Sequence, residues 1–139
     1  MKCPLCDLEN IEKQKFLETD TEYVIYNKWA ATEGQCLVIP KRHVETIRDL
    51  SEVELINLIK TVQKVSEILN YHLNPEGFNY GFNEKSLAGQ HFNHLHFHII
   101  PRFKNDNISN NLIPKPKTIK KLSDEELKSY VRKCKLFFE

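Results

Sequence analysis

No charge of one sign dominates this chain, no hydrophobic run is long, and no glycine-rich phosphate loop is present. Twenty Lys and Arg stand against nineteen Asp and Glu, so no bulk field exists to gather a nucleic-acid backbone or an anionic membrane surface. No apolar stretch approaches the ~18 residues that a membrane helix needs, and no secretory hydrophobic region opens the chain. The pattern Gly-x-x-x-x-Gly-Lys is missing, which removes a P-loop as the means of cradling phosphate. No internal repeat recurs. The four cysteines are not spread as a disulfide framework, because two of them form a close pair. These absences predict a cytoplasmic protein with neither nucleic-acid nor membrane partners. At 139 residues, 40% hydrophobic and 28% charged, the chain is expected to form one globular domain over residues 1–139.

What the chain does have is concentrated in one stretch, His94-Leu95-His96-Phe97-His98-Ile99-Ile100-Pro101-Arg102. Three of the six histidines alternate here with apolar residues, the period-two pattern of a β-strand. On a strand, His94, His96 and His98 share one face at spacings of about 6.6 to 7 Å, and Leu95, Phe97 and Ile99 turn to the core. Pro101, with no amide proton to give to a ladder, marks the strand's end. Imidazole titrates nearer neutrality than other side chains, so such a row can attack an electrophile, move protons or bind metal. Three imidazoles in register beside Gly89-Gln90 would be an odd way to build an inert surface.

The close pair is Cys3-Pro4-Leu5-Cys6. Two thiolates two residues apart can reach one tetrahedral zinc, which then needs two further ligands. A redox pair would instead follow a strand and open a helix, and nothing before Cys3 can form that strand. The histidines in view to complete the set are His43, just after an expected strand, and His94.

Elsewhere the pattern is scaffold. Leu8 to Leu17 reads as a short helix. Tyr23–Asn27 and Cys36–Ile39 are β-branched and aromatic strands joined as a hairpin, with Thr32–Gln35 as the turn and Pro40 as a stop. Ser51 and Glu54 form a capping box before a helix running to about Tyr71, with Leu55, Leu58, Ile59, Val62, Val65 and Leu69 as its apolar stripe. Phe78–Asn83 reads as a strand carrying Asn79 and Asn83 on one face, with Gly81 between them allowing close approach. Residues 104–122 read as a surface loop holding the basic cluster Lys115, Lys117, Lys120 and Lys121. A second capping box at Ser123 and Glu126 starts a C-terminal helix to about Phe138, with Leu127, Val131, Cys134 and Phe138 on one stripe. The expected fold is α+β: an antiparallel sheet of about five strands with two main helices on one face.

Ala88-Gly89-Gln90, three residues, then His94-x-His96-x-His98-x-x-Pro101-Arg102 resembles the signature of the histidine triad (HIT) nucleotide hydrolases and transferases. The likeness extends to Asn27, to Leu37-Val38-Ile39-Pro40-Lys41-Arg42-His43 and to Asn79-x-Gly81-x-Asn83, and so covers about 3–103. Two places depart from the usual pattern. Glu33-Gly34-Gln35 replaces Pro-Gly-His, and His91-Phe92-Asn93 replaces Thr-Val-x.

The resemblance implies a homodimer whose two sheets join into one. It implies that His96 attacks an α-phosphate to form a nucleotidyl-histidine, which water then releases as nucleoside monophosphate. His98 would donate to phosphate oxygen or hold its charge, and Gln90 would contact the phosphate or leaving group. Asn27 would bind the ribose, and Asn83 would orient phosphate or a triad histidine. Zinc-bearing relatives use the positions of Cys3, Cys6, His43 and His94 as ligands; without zinc, His94 would tune the site. Magnesium would accompany a polyphosphate substrate. Relatives with glutamine at position 90 tend to cleave dinucleoside polyphosphates such as diadenosine tetraphosphate, and those with serine act on nucleoside phosphoramidates. Two further readings are a metallohydrolase built from the triad and cysteines, against which stands the lack of any carboxylate between Lys85 and Arg102, and a nucleotide-binding regulatory module with weak turnover.

Overall fold

The computed structural model describes residues 3–108 and 119–139. Five strands form one antiparallel sheet in the order β1-β2-β3-β5-β4, where β1 is Lys15–Glu18, β2 Glu22–Tyr26, β3 Cys36–Pro40, β4 Gly77–Gly81 and β5 Phe97–Arg102. Three α-helices accompany it among the described residues: α1 Leu8–Gln14, α2 Glu52–Leu73 and α3 Asp124–Phe137. None of them is long and apolar enough to cross a membrane. The expected antiparallel α+β architecture is therefore the observed one.

The alternation of β2 and β3 divides the molecule into two apolar layers. Val24, Tyr26, Cys36, Val38 and Ile99 share one cluster with Leu58, Val62, Val65 and Leu69 of α2 and with Leu127, Val131 and Cys134 of α3. Ile25, Leu37 and Ile39 turn the other way, into a smaller cluster with Leu5 and Ile11. Successive residues of a strand must point to opposite faces, so each strand serves both layers. The register pairs Ile25 with Leu37 and Leu37 with His98, which places His98 on the second face.

Both long helices begin at the expected residues. Ser51 and Ser123 each accept from the backbone N–H three residues on, while Glu54 and Glu126 reach back to the cap amides. The first-turn donors that a helix leaves unpaired are thereby satisfied. α2 ends where Asn74 turns left-handed at φ +48°. Within its stripe, Leu58, Val62, Val65 and Leu69 are buried, whereas Leu55 and Ile59 are exposed.

Four expectations are revised. The helix expected over Leu8 to Leu17 stops at Gln14, and Lys15 opens an edge strand with a bulge before Leu17. Packing decides this, since Phe16 enters the main core and meets Phe138 at 5.4 Å. α1 lies on the face opposite α2 and α3, because its Ile11 packs with Ile25 and Leu37. The triad strand begins at Phe97 rather than His94: β3 pairing reaches only Val38 opposite Phe97, and Leu95 N–H donates instead to Val44 O at 2.7 Å. That strand also runs past Pro101 to Arg102, alongside β4 only, since β3 has stopped at Cys36 opposite Ile99. Finally, β4 ends at Gly81, so Asn83 lies beyond it, and Asn79 accepts from Arg102 Nη1 at 2.7 Å. Arg102 also grips Asp106 through Nε at 2.7 Å, which holds that carboxyl well below its ordinary range. Lys115 and Lys117 lie outside the described residues.

The β2–β3 turn is tied to the helical layer through Gly34. Its φ is +89°, and its N–H donates to the Tyr26 hydroxyl at 2.8 Å. A Cβ there would sit 2.6 Å from Leu73 Cδ1 and 3.2 Å from Pro101 Cγ. Gly34→Ala is expected to cost about 2 kcal/mol from backbone strain and crowding together. Thermal denaturation would show this as a midpoint lowered by several degrees, with the folded circular-dichroism spectrum unchanged.

Candidate active site and metal centre

The Cys3–Cys6 segment is a turn closed by Cys6 N–H donating to Cys3 O at 3.1 Å. It brings both sulfurs to the buried His94 ring. Cys3 Sγ lies 3.5 Å and Cys6 Sγ 3.4 Å from His94 Nδ1, and Cys6 Sγ lies 3.2 Å from His43 Nδ1. The four donor atoms are all within 4.8 Å of one another. The two residues predicted to join the cysteines are thus the two that do. His96 and His98 belong to a separate group.

Metal chemistry fits this donor set. His94 Nε2 donates to the Pro40 carbonyl at 2.8 Å, which fixes the proton on that nitrogen and leaves the Nδ1 lone pair facing the sulfurs. His43 turns its Nε2 toward the Glu45 carboxylate at 3.8 Å, beyond hydrogen-bond length. Two thiolates and two imidazoles within reach of one point are the donors of a closed tetrahedral site. Four protein donors leave no open position for a water, which counts against a catalytic metal assembled from the triad.

The remaining triad residues make a different device. His96 Nδ1 donates to the His94 carbonyl at 2.7 Å, so the neutral ring carries its free lone pair on Nε2. The His96 and His98 rings stand 5.1 Å apart, centre to centre. Burial pulls the pKa of both below the ordinary imidazole value. His98, further opposed by a proton on His96, is pushed down to about 3. Both rings are therefore neutral at physiological pH, as a nucleophile must be. His98 Nδ1 is buried with no hydrogen-bond partner among the described residues. An unpaired buried polar atom is costly, and a ligand oxygen would satisfy it.

Gln90 is buried but partly committed: Oε1 accepts from Lys85 N–H at 2.8 Å, and Nε2 donates to Glu45 O at 3.4 Å. Gly89 beside it has φ +97°, and a Cβ there would come within 3.0 Å of Asn83 Nδ2. Asn83 is thus packed under the Gln90 loop rather than aligned on a strand.

Beside the triad, on the same sheet face, lies a cavity of about 550 Å³ whose walls include Leu5, Asn10, Ile25, Asn27, Leu37 and Phe92. The Phe92 ring links it to the triad, 6.3 Å from the His96 ring. Asn27 is on the rim, its Oδ1 accepting from Trp29 N–H at 2.8 Å, which leaves its amide N–H groups to act. Lys121 lies over the ring of Trp29, another wall residue, at 5.6 Å. Nothing in the sequence singles out Leu5 or Asn10 as cavity residues. Phe92 had a signal, being one of the departures next to the triad, whereas Asn10 had none.

A family model described as the HIT domain matches residues 9–105. Among curated proteins, the bis(5'-adenosyl)-triphosphatase of Dictyostelium discoideum is 32% identical over 102 residues, which cover 73% of this chain and 68% of its own. The adenosine 5'-monophosphoramidase of Schizosaccharomyces pombe is 31% identical over 104 residues, covering 73% of this chain and 75% of its own. Among solved structures, a hypothetical histidine triad nucleotide-binding protein from Sulfolobus tokodaii matches with a TM-score of 0.73 at 29% identity, over 96% of this chain and 92% of that one.

The depressed His98 pKa has a consequence for acid stability. An unfolded histidine takes its proton near pH 6.5, while the folded His98 stays neutral to about pH 3, so unfolding binds a proton in between. Acid should therefore lower the thermal midpoint across that window, and His98→Asn should lose less of it over the same interval. An equal slope for both proteins in melts from pH 7 to 4 would refute the assignment.

Proposed function

The chain belongs to the HIT domain family, and on that footing we propose that it is a nucleotide hydrolase. It cleaves the α-phosphate linkage of dinucleoside polyphosphates, such as diadenosine tetraphosphate, through a nucleotidyl-histidine intermediate. The observation that carries this reading is the His96 ring, neutral, oriented by the His94 carbonyl with Nε2 unprotonated, and 6.3 Å from the Phe92 ring that walls a nucleoside-sized cavity. The names of the two relatives, a bis(5'-adenosyl)-triphosphatase and an adenosine 5'-monophosphoramidase, agree with it.

The nucleoside enters the cavity between Ile25, Leu37 and Phe92, and Asn27 donates to its ribose. His96 Nε2 attacks the α-phosphorus; a nitrogen–phosphorus bond forms as the bond to the bridging oxygen breaks, and the remaining nucleotide leaves with that oxygen. His98 supplies a neutral N–H to a phosphate oxygen, which relieves its own unpaired nitrogen. The proton of Gln90 Nε2 not given to Glu45 is the one left for the phosphate or leaving group. Water then attacks the same phosphorus, nucleoside monophosphate departs, and His96 recovers its lone pair. Holding the ring by a 2.7 Å bond lowers the ordering cost of each attack. Cys3, Cys6, His43 and His94 would hold a structural zinc, which would supply cross-linking rather than chemistry. Magnesium accompanies the polyphosphate as its counter-ion.

The working unit is a homodimer. Among the described residues β4 is a sheet edge with a neighbour on one side only, and α2 exposes Val53, Ile56 and Ile59 at one helical spacing.

Release of nucleoside monophosphate from diadenosine tetraphosphate and from adenosine 5'-phosphoramidate should be timed with wild type and His96→Asn in parallel. Faster cleavage of the polyphosphate is expected, with a loss on the order of 10³-fold or more in the variant. Preference for the phosphoramidate would keep the nucleophile and reject the substrate class; activity surviving in His96→Asn would reject the mechanism. Light scattering should give twice the chain mass at micromolar concentration, and Ile56→Asp with Ile59→Asp should give the single mass. A monomeric wild type would refute the dimer.

A further inference from the structure

The metal centre and the nucleoside cavity share a wall. Pro4 and Leu5 line the cavity, and they are the two residues between the metal-facing Cys3 and Cys6. One short turn, belonging to no strand or helix, therefore serves two sites at once. Its carbonyl at Pro4 accepts from Asn10 Nδ2 at 3.0 Å. The same Asn10 side chain accepts at Oδ1 from Gln14 Nε2 at 3.1 Å and from Lys28 Nζ at 3.0 Å. Gln14 and Lys28 also line the cavity. A single amide thus joins three walls: the cysteine turn, α1 and the segment following β2.

We propose that metal binding and nucleotide binding are energetically coupled, and that Asn10 carries the coupling from the cysteine turn to the other cavity walls. The proposal rests on the nucleotide reading above. Without a metal, sulfur–nitrogen contacts of 3.2 to 3.5 Å are weak ties between the turn and the histidines, so the placing of Pro4 and Leu5 rests on the Asn10 bond and the packing of Leu5. With four ligands closed on one ion, the turn is fixed and the wall is complete. A nucleoside that touches this wall binds the fixed form better, and so draws the equilibrium toward it. Linkage makes the effect reciprocal: bound nucleotide must tighten the metal by the same factor. Asn10 is a positioning residue here, since it touches Pro4, Gln14 and Lys28 rather than the reacting atoms.

The test measures zinc affinity of the full chain by competition with a chromophoric chelator, with and without saturating AMP. Zinc bound by AMP itself is subtracted from a protein-free control. AMP should raise the zinc affinity about 5-fold or more, and calorimetry should find AMP bound more tightly to the zinc-loaded protein by the same factor. Asn10→Ala should still take up one zinc, with the ratio falling toward one. A residue that merely stiffens α1 would instead lower both affinities and leave the ratio intact. If Asn10→Ala fails to fold, Lys28→Met, which removes one of the three ties, should reduce the ratio in part. Equal zinc affinity with and without AMP, in a wild type that calorimetry shows to bind AMP, would overturn the coupling. An undiminished ratio in Asn10→Ala would overturn the part given to Asn10. Failure to bind AMP at all would sink the nucleotide reading and the coupling together. Coupling without hydrolysis would leave this inference standing and remove only the proposed reaction.

Discussion

The hydrogen bond from His94 Nε2 to the Pro40 carbonyl, 2.8 Å long and fully buried, sets the orientation of two functions at once. It holds the ring so that Nδ1 meets the two cysteines, and the same residue's carbonyl accepts a hydrogen bond from His96 Nδ1–H. One histidine thus decides the tautomer of the next through its backbone while its side chain faces elsewhere. Pro40 can serve because it ends β3, opposite Glu22 of β2, where its carbonyl is steadied by the sheet. A buried bond of this kind has no competing water, so losing it leaves an orphaned donor and acceptor rather than a solvated pair. The orientation of the site therefore depends on a strand end that carries no reactive group.

The sheet separates stability from chemistry. One face packs against α2 and α3 and contains the larger apolar cluster; the other carries a small cluster, the cavity and the histidines. Strand alternation produces both from the same residues, with Val24 and Val38 inward to the helices and Ile25 and Leu37 under the cavity. Buried imidazoles are tolerable there because they are neutral. Desolvation, which would penalise a charged ring, is the force that keeps them so.

Local signals were legible in the sequence and crossings were not. Ser51 and Ser123 announced their helices because a cap is written within four residues, and the two-residue Cys3–Cys6 gap announced a shared ligand point. His43 and His94 could be paired with it from their motifs. What resisted was anything decided by distant packing. Lys15–Glu18 is extended because Phe16 finds the main core, and α1 crosses to the other face because Ile11 finds Ile25. Asn10 lies in a plain helical sequence, and its three partners, Pro4, Gln14 and Lys28, converge only in three dimensions. Gln90 is legible as a candidate site residue beside the triad, yet its attachment to Lys85 and Glu45 belongs to loops whose paths no local pattern fixes.

The late start of β5 bears on how the molecule breathes. Pairing with β3 begins at Phe97, so His94 and His96 are carried by chain anchored through side chains and through Leu95 N–H on Val44 O. Amides in a ladder open only with their sheet, whereas segments fastened by a few outlying bonds open on their own at lower free energy. His96 therefore sits at the junction of two cooperative units, next to the paired part of the strand without belonging to it. That segment can loosen while the ladder beneath it stays shut.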